Sequence, residues 1–182
     1  MTITTETSLD VTAEDRATRL DAAGDFWTKR ISSDAGNARL TYLARGTAEG
    51  SVATRITAGR HEFMVDEPTG LAGDDIASSP VEYALGALIS CQVVVYRLYA
   101  HQLGIPFETI SIDAEGDLDV RGLFGADETV RPGFTAMRLT IKITGPGTPE
   151  QYEELRRVVD ARCPVLDLFS NTTPVTAVIA AS

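Results

Sequence analysis

The sequence predicts an α+β fold, with helices laid on antiparallel sheets, and three observations predict it. The stretch from Ser79 to Gln102 (SPVEYALGALISCQVVVYRLYAHQ) reads as one long helix, apolar on nearly every face. Short alternating segments fall into two groups, one before this helix and one after it. A further capped helix follows the later group, so strands and helices come in blocks rather than alternating one for one.

The composition narrows the function. Of 182 residues, 43% are apolar and 23% charged, which suits one domain with a substantial core and room for an appendage. A net charge of −10 leaves no basic stripe for phosphates, which argues against nucleic acid, and it disfavours an anionic membrane surface. The opening MTITTETSLD lacks both a basic and an apolar segment, so no secretory signal is expected. Two cysteines make no disulfide framework for a chain of this size, and with two histidines, His61 and His101, they make a poor metal set. The expected compartment is the cytoplasm, where a cysteine pair is more often redox-active than structural.

In chain order, residues 1–11 read as a loose polar tail. Thr12 to Arg30 read as a helix opened by a Thr-x-x-Asp mimic of a capping box, with Leu20, Phe26 and Trp27 as a partial apolar stripe. Ser32 to Asn37 link it to the main domain, so residues 1–37 form a tail with an appended helix and 38–182 the main domain. Ala38 to Arg45 alternate as a strand, Gly46 to Gly50 turn, and Val52 to Ile56 and His61 to Val65 follow as strands of a meander. Asp66 to Ser78 form a Gly- and Asp-rich loop. The long helix then begins at a Ser79-x-x-Glu82 capping box with Pro80 in the first helical position. Gly104 suits its left-handed cap, and Pro106 forbids continuation. The helix is roughly as long as a membrane span. Gln92, Tyr96, Arg97 and His101 interrupt it, and it is read as a central core helix. Thr109 to Ala114 alternate, with extension toward Val120. Arg121 to Gly133 connect, exposing Leu123 and Phe124 either as a greasy mouth or as a contact with a partner. Ala136 to Thr144 make the cleanest strand. Thr148 to Gln151 form a second capping box, opening a helix to about Ala161. Cys163-Pro164 break the chain, Val165 to Phe169 make a helical turn, and Thr173 to Ala180 read as a closing strand.

The order of a Gly/Asp loop, SPVEYALGALISC, a strand pair and a Thr-Pro-Glu helix ending in ARCPV resembles the OsmC/Ohr family of osmotically inducible and organic-hydroperoxide-resistance proteins. The resemblance covers about residues 38–182. It implies an OsmC-like fold, with antiparallel sheets packed around the long central helix in an intertwined homodimer that carries two sites at its interface. It also implies a thiol peroxidase. Cys91 would attack an organic hydroperoxide and Cys163 would resolve it to a disulfide. No bound cofactor is implied; an external dithiol reductant such as a lipoyl group would restore the thiols.

The residues set the chemical problem. Only a thiolate attacks a peroxide, and burial among apolar groups disfavours the thiolate. Around Cys91, the helix offers Ala84, Ala87, Leu88, Val95 and Leu98, none of them a cation. A cation must come from elsewhere. The family takes an arginine from the turn after an early strand, which matches Arg45, with Arg55 and Arg60 as alternatives. The family's peroxidases pair that arginine with a glutamate directly after the helix-start proline. Here that position is Val81, and the candidate carboxylate is Glu82, one residue later. Glu82 lies nine residues before Cys91, roughly on the opposite face of the helix, which suits the capping box better than the site. Two rivals to the peroxidase remain: a non-enzymatic binder of a small apolar ligand or protein, favoured by Val81, and a dithiol redox sensor.

Overall fold

The computed structural model describes residues 11–180, so the expected loose tail lies almost wholly outside the described residues. The chain forms two compact units, Met1–Tyr42 and Leu43–Ser182. The first contains helix α1 (Ala13–Ser33), capped by the Thr12 hydroxyl, which accepts the Asp15 amide at 3.0 Å. Within α1, Trp27 stands edge-on to Phe26, and Arg30 lies 5.8 Å from its ring. The predicted strand from Ala38 is a correction. Residues 35–38 form a 3-10 turn, and the strand starts only at Ala44.

The second unit opens with a three-stranded antiparallel meander of β1 (Ala44–Glu49), β2 (Ala53–Ala58) and β3 (His61–Val65). Gly46 to Glu49, expected in a turn, belong to β1. The reversal comes at Gly50, whose φ of +56° suits a residue without a Cβ. Register then sets Thr47 against Arg55 and lets Arg55 bridge Glu49 at 2.6 Å and Glu62 at 2.7 Å.

Asp66 organises the loop that follows. It is buried, and its carboxylate accepts the amides of Asp74 (3.0 Å) and Ile76 (3.3 Å), while its own amide donates to the Ser78 carbonyl. These backbone donors, with that of Glu67 foremost, hold its pKa below the usual carboxylate range. The loop folds back so closely that a Cβ on Gly73 would stand 1.7 Å from the Glu67 carbonyl oxygen.

Helix α2 (Pro80–Leu103) is the predicted long helix. Both halves of its capping box form, and Gly104 closes it in the left-handed region at φ +64°. Leu88, Gln92, Val95, Tyr96 and Ala100 make its buried stripe. Its length and hydropathy would suffice to cross a bilayer, yet this stripe packs as a core helix does, against a sheet and two helices of the same chain. The sheet is β4 (Thr109–Asp117) paired with β5 (Ala136–Thr144). Ile110, Ile112, Ala114 on one strand and Met137, Leu139, Ile141, Ile143 on the other face the helices, while Arg138 and Lys142 pair with Glu115, Asp117 and Asp113 on the solvent face. The expected run-on to Val120 stops at Asp117. Asp119 instead caps the short helix α3 (Val120–Leu123), after which Phe124 is exposed. Helix α4 (Pro149–Asp160) forms its predicted capping box and buries Leu155 and Val159. Helix α5 (Pro164–Ser170) follows at once. The predicted closing strand is a second correction: residues 173–180 join neither sheet within the chain, and Val175 and Ile179 are 89% and 95% exposed.

Candidate functional site

The two cysteines come together from elements that the sequence separates widely. Cys91 sits in the middle of α2, half-buried, and Cys163 occupies the junction where α4 ends and α5 begins. Two local features fix Cys163. The amide of Cys163 bonds the Val159 carbonyl at 2.9 Å, which completes α4, and Pro164 then starts a new helix in place of the old one. Both thiols are free, and both belong to the same apolar cluster as Leu88, Val95, Leu155 and Val159. The two thiols are neighbours in that cluster. Burial pushes the Cys163 thiol up, its neighbour Cys91 pushes it further, and the amides of Leu166 and Val165 act in the opposite sense. At 1% exposure, the Cys163 thiol lies behind the surface.

A cavity of about 620 Å³ opens beside this pair. Neither cysteine is part of its wall, but Leu88 and Leu166, each three residues from one of them, are. Phe134, Met137, Leu139, Ile141 and Phe169 extend the apolar lining, and Arg131, Arg156 and Asp160 supply charge. Phe134 also walls a second cavity of about 410 Å³, which reaches the start of α2 at Val81, Glu82 and Leu85. Its ring lies against Gly116, where a Cβ would stand 2.5 Å from the ring edge.

The remaining expected site residues lie elsewhere. Arg45 is exposed on β1, Arg55 is held between two carboxylates, and Arg60 is exposed in the β2–β3 turn. None of the three lines the cavity beside the thiols. Glu82 performs its capping function: its carboxylate accepts both the amide and the hydroxyl of Ser79 at 2.8 Å, and these bonds lower its pKa. It stands about 13 Å along the helix from Cys91, at 1.5 Å per residue. Leu123 and Phe124 are exposed but line neither cavity. Among the described residues, no three His, Cys, Asp or Glu side chains cluster as a metal set would.

Gln92 and Tyr96, which interrupt the apolar sequence of α2, are buried polar groups on its inward stripe. Gln92 is fully buried, and neither of its amide atoms has a partner among the described residues. Tyr96, one turn on, is likewise buried with an unpartnered hydroxyl, and burial pushes its pKa up to about 12. A polar residue on the inward stripe of an otherwise apolar helix was the signal available for both.

The family model for OsmC-like proteins matches residues 73–178. No curated protein matches the chain. Among solved structures, the fold is similar to an OsmC-like protein from Mycoplasma pneumoniae, at 16% identity and a TM-score of 0.62 over 71% of this chain and 87% of that one. It is also similar to the organic hydroperoxide resistance protein OsmC of Legionella pneumophila, at 22% identity and a TM-score of 0.57 over 73% and 91%. The organic hydroperoxide resistance protein OhrB of Bacillus subtilis superposes at 18% identity and a TM-score of 0.51 over 72% and 91%.

Proposed function

Because the chain belongs to the OsmC-like protein family, we propose that it is a thiol peroxidase for organic hydroperoxides. The observation that carries this reading is that Cys91 and Cys163, 72 positions apart in the sequence, are neighbours inside one apolar cluster. In the proposed cycle the Cys91 thiolate attacks the terminal oxygen of ROOH. An S–O bond forms and the O–O bond breaks. The alkoxide takes up a proton and leaves as ROH, and Cys91 becomes a sulfenic acid. Cys163 then attacks that sulfur, the disulfide forms, and hydroxide leaves as water with the thiol proton. An external dithiol, such as a lipoyl group, returns two electrons and two protons by exchange. The half-buried position of Cys91 lets it meet substrate, while burial keeps Cys163 protonated until the sulfenic acid is made.

The cation that activates Cys91 belongs to the same proposal. Arg45 lies on an exposed strand, where a second copy of the chain would bring it to a site it does not reach within its own. The uncovered faces of α2 and the unpaired segment 173–180 favour that homodimer, in a reducing, cytoplasmic setting. The apolar cavity favours organic hydroperoxides over hydrogen peroxide, and faster turnover of hydrogen peroxide would contradict this.

The test begins with the fully reduced protein and one equivalent of an organic hydroperoxide. Non-reduced peptide mass spectrometry is expected to show loss of two hydrogens and a Cys91–Cys163 crosslink. Cys163→Ser is expected to stop at the Cys91 sulfenic acid, and Cys91→Ser to be inert. Two unreacted thiols would overturn the reading in favour of a binding protein, the alternative that Val81 favours. Crosslinking without catalytic recycling by a dithiol would leave a redox sensor.

A further inference from the structure

Helix α1 lies outside the residues that the OsmC-like family model matches, and none of its residues is buried. It nevertheless carries a stripe. Ala13, Ala17, Leu20, Gly24, Trp27 and Ile31 follow one another in steps of four and three, the repeat of a helix that packs along its length against another helix. Ala17, Leu20, Gly24 and Trp27 are half-buried, whereas Ala22 on the far side is exposed. The stripe complements itself in shape. A glycine inside a helix weakens it, and no described atom would stand within 4 Å of a Cβ on Gly24. Gly24 is thus a notch that its own chain leaves open, one turn before Trp27. A helical side chain covers the turn N-terminal to its own Cα, so in a parallel, in-register pair the Trp27 indole of one copy lies over the partner's Gly24. Phe26, edge-on at 5.5 Å, and Arg30, 5.8 Å from the ring centre, orient that indole from its own helix. The stripe also complements itself in charge. Arg16 and Asp21 flank it on opposite sides, five positions apart. At this spacing a residue on one flank meets the other flank of a parallel partner, so the Arg16 of one copy faces the partner's Asp21 twice over. An antiparallel pair sets like flank against like flank and loses both pairs.

We propose that α1 is a parallel clasp, pairing in register with α1 of a second copy of this chain. Six core positions, one of them glycine, are too few to hold two free chains together. The clasp adds to another contact and gains from the high local concentration of two copies already joined. The inference therefore rests on the homodimer reading above for the nearness of the copies, and not on the peroxidase chemistry. What the clasp contributes is choice of partner, because the flanking pairs form only with a chain of the same charge spacing.

The test uses the full chain. Ala17→Cys, treated with a mild oxidant, is expected to give a dimer linked through residue 17 of both copies, since facing core positions of a parallel pair come within disulfide reach. Non-reduced peptide mass spectrometry identifies the linked peptides. Ala22→Cys, on the outer side, is expected to link far more slowly. Adding Asp21→Arg to Ala17→Cys should slow the linkage about fivefold, and adding Arg16→Asp as well should restore it. No link at residue 17, equal rates at residues 17 and 22, or a rate indifferent to both charge changes overturns the clasp. Light scattering on the unsubstituted chain separates this failure from that of the homodimer. A dimer without the residue-17 link sinks the clasp alone and leaves α1 to pack elsewhere. A monomer without the link sinks both readings, and a link in a chain that scatters as a monomer keeps the clasp and sinks the homodimer.

Discussion

The second unit contains two antiparallel sheets of opposite character. The β4–β5 pair has one face against α2 and one face of ion pairs, with the isoleucines aligned across the strands. The β1–β3 meander has little to bury. Only Ala53 in it is fully buried, and Leu43 before it and Phe63 within it are exposed. One sheet is completed by its own chain and the other awaits a cover. The thiols sit where the completed half ends, in a core whose closing elements are the short helices around Cys163. The two cysteines are therefore brought together by one chain, while under the proposed function a cation drawn from the meander would come from a second.

This contrast makes graded predictions. The largest effect is expected in the completed half. Leu155→Ala, at a position with no exposure, should cost about 2–5 kcal/mol in urea unfolding, whereas Phe63→Ala should cost well under half of that for an isolated chain. A smaller loss at Leu155 would mean that the half is not a self-sufficient core. Next, light scattering on the full chain should give a dimer. Val178→Asp in the unpaired segment should shift it toward monomer while leaving monomer unfolding within about 0.5 kcal/mol. A variant that stays dimeric would remove the segment from the interface.

Gln92 sharpens the comparison within the completed half itself. An orphaned buried amide costs about 1–3 kcal/mol, so Gln92→Leu should raise stability by up to that amount. A loss instead would reveal a polar partner for the amide. The smallest effect is a pH dependence. Burial raises the Cys163 pKa in the folded state, so the folded chain holds this proton more tightly than the unfolded one. Its contribution is fully present below the ordinary cysteine pKa and is lost as pH rises through the folded value. Reduced protein should therefore lose stability in that alkaline window, and Cys163→Ala should flatten the loss. An unchanged slope in the variant would assign it to other groups.

Elements whose signals are local were legible in the sequence. The capping boxes at Ser79 and Thr148 gave α2 and α4, and alternation gave β5 residue for residue. Elements that exist only through pairing were not. Leu40 and Tyr42 alternate with polar neighbours well enough for a strand, but the turn at Gly50 fixes which residues β2 can reach, and β1 starts after them. Thr173 to Ala180 carry the same pattern with no ladder in their own chain. The cysteine pair was legible through the family resemblance, since neither cysteine alone differs from a core residue. The cavity was not legible: a loop arginine in VRPG and a helix residue such as Leu166 share a wall only once the fold brings them together.

The Asp66 carboxylate has a consequence for the second cavity. Five of that cavity's lining residues, Glu67, Pro68, Leu71, Asp75 and Ala77, belong to the loop that Asp66 gathers. One ionised group thus sets the shape of a wall to which it contributes no surface. Because its pKa is depressed, this constraint holds above the ordinary aspartate range and relaxes as acid protonates it through the lower, folded value. The cavity at the start of α2 is then an acid-labile compartment in a molecule whose Cys163 proton makes its folded state weaken on the alkaline side.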